Sequence, residues 1–334
     1  MSPKIKPGTE QSESENVRPD LDAEYREMRE ACGLLEETDR TTFTVKGPEA
    51  AEFLQGQITN ETETLEPGSG GYAALLDRKG HIQTDLRLLR IAEDEFWLDA
   101  GTGSAPRAIR HLTTYKIGRE VEVTSSERSI VSLIGPGSPE VTGLTPGGEH
   151  DFADLSLAGA SCLVAGTDLG QDVICDSGDR GEVVAELTRR GAVPVTPAAA
   201  EILRVESGRP RYGIEMSEAT MPAEAGIVER AVDFNKGCYI GQEPVARLHY
   251  RGRPNRHLRG LRFSGPVGRG DTVSNSEREL GSVGTAVVSP AFGRIGLAIL
   301  RKEAEPGDIV TIETATGEVP AEVAGLPFEK GSHE

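Results

Sequence analysis

The order of apolar and polar positions predicts a mixed α+β protein. Apolar residues at helical spacing from Leu21 to Leu35 predict a first helix that ends near Gly33. Strand-like runs follow at 41–45, 71–76, 82–90 and 95–98, with the clearest helix of this part at 48–55. Because strands and helices do not alternate regularly, the pattern favours an α+β fold over repeated βαβ units.

The same reasoning predicts the elements in the rest of the chain and its division into domains. A helix at 107–114 and a strand at 121–124 precede strands at 130–134, 161–165 and 172–175 and a helix at 181–190. Beyond a boundary near 252–254, short β runs at 258–263, 283–289, 293–299, 309–313 and 318–323 predict a small barrel. We therefore predict a disordered acidic tail (1–20), a first α+β domain (21–125), a middle α+β domain (126–200), a linking segment (201–253) and a C-terminal β-barrel (254–334).

The charge balance indicates which kinds of partner the protein can bind. The formal net charge is −18, from 54 acidic and 36 basic residues among 334. An acid-rich surface stays hydrated where salt screens its repulsion, so we expect a halophilic source. The same charge argues against nucleic-acid binding, which needs basic surface. The main basic concentration runs from Arg247 to Arg259 and would position an anionic group or solvate a linker.

Cysteine usage and hydropathy argue against a metal-binding, membrane-spanning or secreted protein. The chain has four cysteines without a C-x-x-C pair or zinc-ligand spacing, so we predict no metal site. It has no apolar run long enough for a membrane span and no signal-peptide core at its start. We therefore expect a cytoplasmic protein with reduced thiols.

The run Lys236-Gly237-Cys238-Tyr239-Ile240-Gly241-Gln242-Glu243 carries the most chemistry for its length. The ammonium of Lys236 would favour the thiolate of Cys238, and Gly237 and Gly241 would let the backbone approach a ligand. The alternative is a small buried cysteine in a turn, without reactivity.

This run, extended through Arg247 to Gly252, resembles the signature of the YgfZ family, which belongs to the folate-binding superfamily of the glycine-cleavage T-protein. Segments at 45–60, 75–80, 204–213, 221–226 and 326–328 resemble other parts of the family in the same order, so the resemblance covers 39–328. It implies T-protein-like N-terminal and middle α+β domains with a C-terminal β-barrel. It also implies that 21–125 and 201–253 form the site for tetrahydrofolate.

A reduced pterin presents adjacent N–H donors, which one carboxylate can accept. By resemblance, Glu206 in the Arg-x-Glu-x-Gly segment is the pterin-contacting glutamate. Asp85 belongs to an acidic doublet near the reactive folate nitrogens, although Thr84 replaces the other acid. Without the resemblance, Glu206 would be a solvated helix residue and Asp85 an acid at a strand end.

The remaining candidates serve other parts of a folate. Lys236 and then Arg247 could hold the anionic glutamyl tail, and Tyr72 and Tyr239 could stack on the ligand or belong to the core. Gly237, Gly241, Gln242 and Glu243 complete the motif.

The chain also departs from the family pattern. Better known bacterial YgfZ proteins lack the Arg-x-Glu-x-Gly glutamate and have tryptophans near the positions of Arg40 and Arg209. This chain has Glu206, and its single tryptophan is Trp97.

Three functions follow from the resemblance. The first is a tetrahydrofolate-binding protein that supports iron–sulfur cluster assembly or repair for client proteins, with one-carbon transfer as a candidate reaction and Cys238, Asp85 and Lys236 as the reactive groups. The second is an aminomethyltransferase of the glycine cleavage type, with a lipoyl carrier protein as its partner. The third is a non-enzymatic scaffold gated by folate.

Overall fold

A computed structural model describes residues 20–36 and 39–329 of the chain. The predicted tail at 1–20 lies outside the described residues except for its last position. Within the described residues the helices are α1 (Leu21–Glu30), α2 (Ala50–Gln55), α3 (Ala105–Tyr115), α4 (Ser138–Thr142), α5 (Arg180–Arg189), α6 (Pro197–Glu206), α7 (Val228–Ala231) and α8 (Gln242–Arg251). The strands are β1 (Gly33–Leu35), β2 (Arg40–Lys46), β3 (Gly70–Leu76), β4 (Ile82–Ala92), β5 (Glu95–Gly101), β6 (Glu122–Ser125), β7 (Arg128–Ile134), β8 (Phe152–Leu157), β9 (Ala160–Thr167), β10 (Gly170–Asp176), β11 (Val193–Pro194), β12 (Arg256–Phe263), β13 (Thr272–Ser274), β14 (Glu279–Ser289), β15 (Gly293–Arg301), β16 (Ile309–Thr314) and β17 (Gly317–Ala324).

The first sheet has the antiparallel order β3-β4-β5-β2-β6. Along β4 the side chains of Leu86 and Leu88 are buried in the core that α2 and α3 cover. Because successive side chains of a strand point to opposite faces, Asp85 and Arg87 lie together on the other face. This alternation turns a row of polar side chains toward the centre of the molecule.

The second sheet has the order β11-β1-β7-β10-β9-β8, and α5 packs against it through Val183 and Leu187. Strand β1 pairs with β7 and β11, and α1 packs on α6. Residues 21–35 therefore belong with the middle part of the chain. The predicted division, with its boundary at 126, had placed them in the first domain. The sequence pattern had also extended the first helix to Gly33, where β1 begins.

The third part is a closed barrel, β12-β15-β14-β13-β16-β17. Closure pairs every strand edge, which suits short strands with alternating apolar residues. The barrel begins at Arg256, close to the boundary predicted near 252–254. The predicted α+β fold with a C-terminal barrel is confirmed.

The segment after α6 returns to the first sheet and covers one end of it. Met216, Ile227, Tyr239 and Val245 pack on residues of β3 and β4. Gly241 has φ +84°, and a Cβ there would lie 2.4 Å from the Asp77 carbonyl oxygen. This glycine is needed for α8 to begin against the β3–β4 turn.

Candidate functional site

A cavity of about 270 Å³ lies where the first sheet, the second sheet and the segment after α6 meet; we call it the central cavity. A second one of about 440 Å³, the side cavity, shares Arg40, Asp85 and Arg211 with it. A third of about 530 Å³ beside α1 shares Glu149, Thr167 and Asp168 with the central cavity. The adjacent volumes match the size of small-molecule sites.

Asp85 lines both the central and the side cavity. The Tyr72 hydroxyl donates a hydrogen bond to Asp85 Oδ2 over 2.9 Å, between neighbouring strands β3 and β4. Burial and the negative charge of Asp85 raise the pKa of Tyr72 well above its ordinary value, so the phenol keeps its proton. The carboxylate is thus held in one orientation by a permanent donor.

Thr84, which replaces an acid of the family doublet, points the other way. Its side chain is fully buried and its Oγ1 donates to Ser104 Oγ over 2.7 Å at the start of α3. A side chain at position 84 therefore faces the core of the first part and does not line the central cavity. The substitution leaves the cavity carboxylate of Asp85 in place.

A buried ion-pair network forms the floor of the central cavity. Arg87 donates from Nε to Asp99 Oδ2 over 2.8 Å and from Nη1 to Asp172 Oδ2 over 2.6 Å. Arg40 also bonds Asp99, and Ser132 donates to Asp172 Oδ1. Burial alone would raise the pKa of Asp99, but Arg40 and Arg87 outweigh it and lower the pKa, so this carboxylate stays charged.

The lining of the central cavity includes a second set of ion pairs. Arg209 lies 2.5 Å from Asp168, and Arg230 bonds Glu149. His150 adjoins them, and burial together with Arg87 lowers its pKa to about 4, so its imidazole is neutral at pH 7.

Glu206 lies away from this cavity, although it was predicted to contact a pterin. It is 2% exposed and belongs to a cluster between α1, α6 and β14. The Tyr25 hydroxyl donates to its Oε2 over 3.2 Å, Arg29 pairs with the same oxygen, and Ser289 donates to Oε1. Glu206 is not among the described residues that line the central and side cavities. Its two carboxylate oxygens hold α1, α6 and β14 together.

Comparison with known proteins accounts for this architecture. Residues 7–236 match the GCVT N-terminal domain, and residues 256–330 match the glycine cleavage T-protein C-terminal barrel domain. The chain belongs to the glycine cleavage T-protein family. An aminomethyltransferase of Chlorobium luteolum is 30% identical over 93% of this chain and 90% of its own length. One of Rubrobacter xylanophilus is 28% identical over 92% of this chain and 86% of its own length.

A solved structure agrees with the fold of this T-protein family member. The glycine cleavage system aminomethyltransferase T of Bartonella henselae superposes with a TM-score of 0.83 at 24% identity, over 92% of this chain and 89% of that one. Since the relatives bear the name aminomethyltransferase, the prediction that this protein serves iron–sulfur cluster assembly is wrong. The alternative drawn from the same resemblance is the one favoured.

In the motif at 236–243 of this T-protein family member, Lys236 has a structural role. Its Nζ donates to the carbonyl oxygens of Ile58 over 2.8 Å and Asn60 over 2.5 Å, and burial lowers its pKa to about 8. The ammonium lies 5.3 Å from the ring centre of Tyr239, which is buried in the core. Neither residue lines the central or the side cavity within the described residues, so both tie the motif to the first sheet.

The rest of the motif lies at the surface. Cys238 is exposed, whereas Cys32, Cys162 and Cys175 are buried. Gly237 and Glu243 are also exposed, Gln242 is half-buried at the start of α8, and Arg247 is exposed on that helix. The structure therefore does not bring Cys238, Lys236 or Arg247 to the cavity that contains Asp85 and Tyr72.

Sequence reasoning missed most of the cavity wall. The arginines of this wall come from β2, β4, α6 and the segment after it, and no local pattern joins them. The available signal was the resemblance itself, which put family tryptophans near Arg40 and Arg209. Both positions do line the central cavity.

Two further features of the described residues bear on function. Across 20–36 and 39–329, no cluster of three or more histidine, cysteine, aspartate or glutamate side chains is placed to hold a metal ion. None of the helices in these ranges is long and apolar enough to cross a membrane.

Proposed function

We propose that the protein is a tetrahydrofolate-dependent aminomethyltransferase. It would take the methylene carbon of an aminomethyl group carried on a lipoyl sulfur of a carrier protein and pass it to tetrahydrofolate. The carbon–sulfur and carbon–nitrogen bonds break, two bonds to folate nitrogens form, and the thiol and ammonia leave. The observation that carries this proposal is Asp85, a carboxylate fixed by Tyr72 where two cavities join.

The cavities suit the parts of a tetrahydrofolate. The side cavity, with Leu35, Ser104 and Tyr212 in its walls, has room for the flat pterin. Asp85 would then lie near the nitrogens between the pterin and the benzoyl ring. The central cavity, which is rich in arginine, would take the anionic end.

Asp85 would act on charge and protons. A carboxylate beside the reacting nitrogens stabilises the positive charge that develops on them and can accept a proton from them. Tyr72 would orient this carboxylate through its hydrogen bond, and its raised pKa keeps it a donor across the physiological range.

The test joins a binding and a turnover measurement. Calorimetric titration with tetrahydrofolate should show binding, and an aminomethylated lipoyl carrier protein should release ammonia only when tetrahydrofolate is present. Asp85→Asn should lower the rate by about 10²–10⁴-fold, the usual range for general acid–base groups. Asp94→Asn, at an exposed turn between β4 and β5, is the matched control and should keep the rate. Binding without ammonia release by the wild type would refute the transfer activity.

Two finer expectations stay predictions. Membership in the YgfZ subgroup depends on the motif from Lys236 to Glu243, and a high-salt cytoplasm depends on the net charge of −18. Neither is needed for the proposed transfer reaction.

A further inference from the structure

Two buried cysteines lie directly opposite each other on neighbouring strands. In the antiparallel pairing of β9 with β10, the Cα partner of Cys162 is Cys175. Both side chains belong to the apolar core that α5 covers, and each residue is 2% exposed. Both are free thiols, and neither takes part in the proposed transfer reaction.

The backbone of Cys162 points away from β10. On the same strand, the Gly166 N–H donates to the Asp151 carbonyl oxygen over 2.9 Å, and the Gly166 carbonyl oxygen accepts from the His150 N–H over 2.8 Å. Both partners of Gly166 lie on the β8 side of β9. Because the backbone groups of a strand alternate in direction, those of Cys162, four positions earlier, also point toward β8.

The backbone of Cys175 points away from β9 in the same way. The Ser177 N–H donates to the Glu127 carbonyl oxygen on the β7 side over 2.9 Å, and Cys175 lies two positions before Ser177. Cys162 and Cys175 are therefore a pair without hydrogen bonds between their backbones. In such a pair the Cα atoms are about 4.5 Å apart and the side chains approach most closely.

This arrangement allows a disulfide that can form and break. A disulfide joins Cα atoms about 4.4–6.8 Å apart and Cβ atoms about 3.5–4.5 Å apart. Directly opposite residues have Cβ atoms about 4.5–5.5 Å apart, with the shorter values in pairs without hydrogen bonds. The strands would need to close slightly, and a disulfide held under such strain is readily reduced.

The two thiols differ in acidity. The Cys175 thiol donates a hydrogen bond to the Cys162 sulfur, which lowers the pKa of Cys162. The same hydrogen bond, together with burial, raises the pKa of Cys175. Since the thiolate is the reactive form of cysteine, Cys162 is the thiol that attacks an oxidant first.

The surroundings favour a small neutral oxidant. An exposed turn at 158–159 precedes β9, and another at 176–178 follows β10, so both ends of the pair lie close to solvent. The carboxylates of Asp176 and Asp179 act on both thiols and repel anionic oxidants such as glutathione disulfide. Hydrogen peroxide is uncharged and little larger than water, so it suits this site.

We propose that Cys162 and Cys175 form a redox-active dithiol, which hydrogen peroxide converts to a cross-strand disulfide. The Cys162 thiolate attacks one peroxide oxygen, the O–O bond breaks, and hydroxide leaves a sulfenic acid on Cys162. The Cys175 sulfur then attacks the Cys162 sulfur, the S–O bond breaks, and the Cys175 proton leaves with the hydroxide as water. The two thiols lose two electrons, and the peroxide becomes two water molecules.

This modification is independent of the proposed transfer reaction. Cys175 and Asp172 are three positions apart on β10 and therefore lie on opposite faces of the sheet. The disulfide forms on the face that α5 covers, whereas Asp172 lines the central cavity.

The test maps disulfides in the full-length native protein after treatment with hydrogen peroxide. Remaining thiols are alkylated in denaturant, and a protease that cleaves at aspartate separates the two cysteines at Asp168 and Asp172. Mass spectrometry without reduction should show the Cys162 and Cys175 peptides joined, with the loss of two hydrogen atoms. Dithiothreitol should restore both free thiols.

Three other cysteine measurements complete the design. Cys32→Ala removes a buried cysteine of the same core and should leave the link unchanged. Cys175→Ser removes the second thiol, so dimedone should label a sulfenic acid at Cys162. Oxidation of the exposed Cys238 in the wild type shows that the peroxide was active.

Several results would overturn the inference. One is oxidation of Cys238 while Cys162 and Cys175 stay free thiols, and another is a link from either of them to Cys32. A link that forms only in protein unfolded by urea would show that the native pairing does not bring the thiols together. Absence of a dimedone adduct at Cys162 in Cys175→Ser would refute Cys162 as the attacking thiol.

Discussion

Replacing Glu206 with glutamine separates the structural role of this carboxylate from the ligand contact that the sequence predicts. One oxygen of Glu206 accepts from Tyr25 and Arg29, and the other accepts from Ser289. The Ser289 hydroxyl oxygen already accepts from two backbone N–H groups, of Ala291 and Phe292, each over 3.0 Å. Its hydrogen therefore must donate to Glu206.

A glutamine cannot satisfy this arrangement in either amide orientation. If its oxygen faces Tyr25 and Arg29, its NH₂ group faces the Ser289 donor, and if it flips, the NH₂ group faces the guanidinium. One charge-assisted hydrogen bond is lost and one buried donor stays unpaired, which together cost about 2–4 kcal/mol of unfolding free energy. Tyr25→Phe removes the hydrogen bond that Tyr25 donates to Glu206 and the one that it accepts from Arg29 Nε, and it should cost about 2 kcal/mol.

The assay is urea unfolding followed by circular dichroism, combined with calorimetric titration of tetrahydrofolate. We expect Glu206→Gln to lower the unfolding free energy and to leave the affinity of the folded protein unchanged. A variant with wild-type stability and a large loss of affinity would refute the structural role and restore Glu206 as the pterin contact.

Three further predictions follow from single positions. Gly241→Ala should destabilise the protein by about 2–4 kcal/mol in urea unfolding, because an alanine there is strained at positive φ and its Cβ clashes with a carbonyl oxygen. The folded pKa of His150 lies near 4, below the ordinary 6.5, so its contribution to stability is complete above pH 6.5 and falls as the pH drops toward 4. At pH 5 this loss amounts to about 2 kcal/mol, and urea unfolding of His150→Asn should lack it. Cys238 should react with iodoacetamide before the buried cysteines, as mass spectrometry of partly alkylated protein can show.

Each of these three predictions has a control variant or a result that would contradict it. Gly237→Ala is the match for Gly241→Ala, because a Cβ at Gly237 meets no atom within 4 Å and the position has no positive φ. Equal stability loss in both variants would contradict the steric argument. Parallel pH profiles for wild type and His150→Asn would show that the imidazole is not held neutral. Alkylation of Cys162 or Cys175 ahead of Cys238 would mean that β9 and β10 open easily.

The sequence alone predicted many of the strands and helices, and the superfamily. Alternating apolar residues predicted β2, β4 and β12 nearly to their ends, since the side-chain period of a strand is written directly into the chain. Motifs such as Lys236 to Glu243 carried the superfamily resemblance, and Asp85 was predicted as a site residue that does line the cavity. The sequence did not separate iron–sulfur assembly from aminomethyl transfer. The motif that suggested iron–sulfur assembly lies outside the cavity, and its position there cannot be read from the sequence.

Only the tertiary structure decided which charged groups meet. Arg87 and Asp172 are 85 positions apart, yet they form one ion pair, because antiparallel pairing and sheet packing bring distant segments together. Glu206 and Lys236 sit in convincing local motifs, but the packing of α1 and of the loop near Ile58 supplies their partners and turns them from the cavity. Local sequence fixes the face on which a side chain lies, whereas what it faces depends on contacts between segments that no local pattern records.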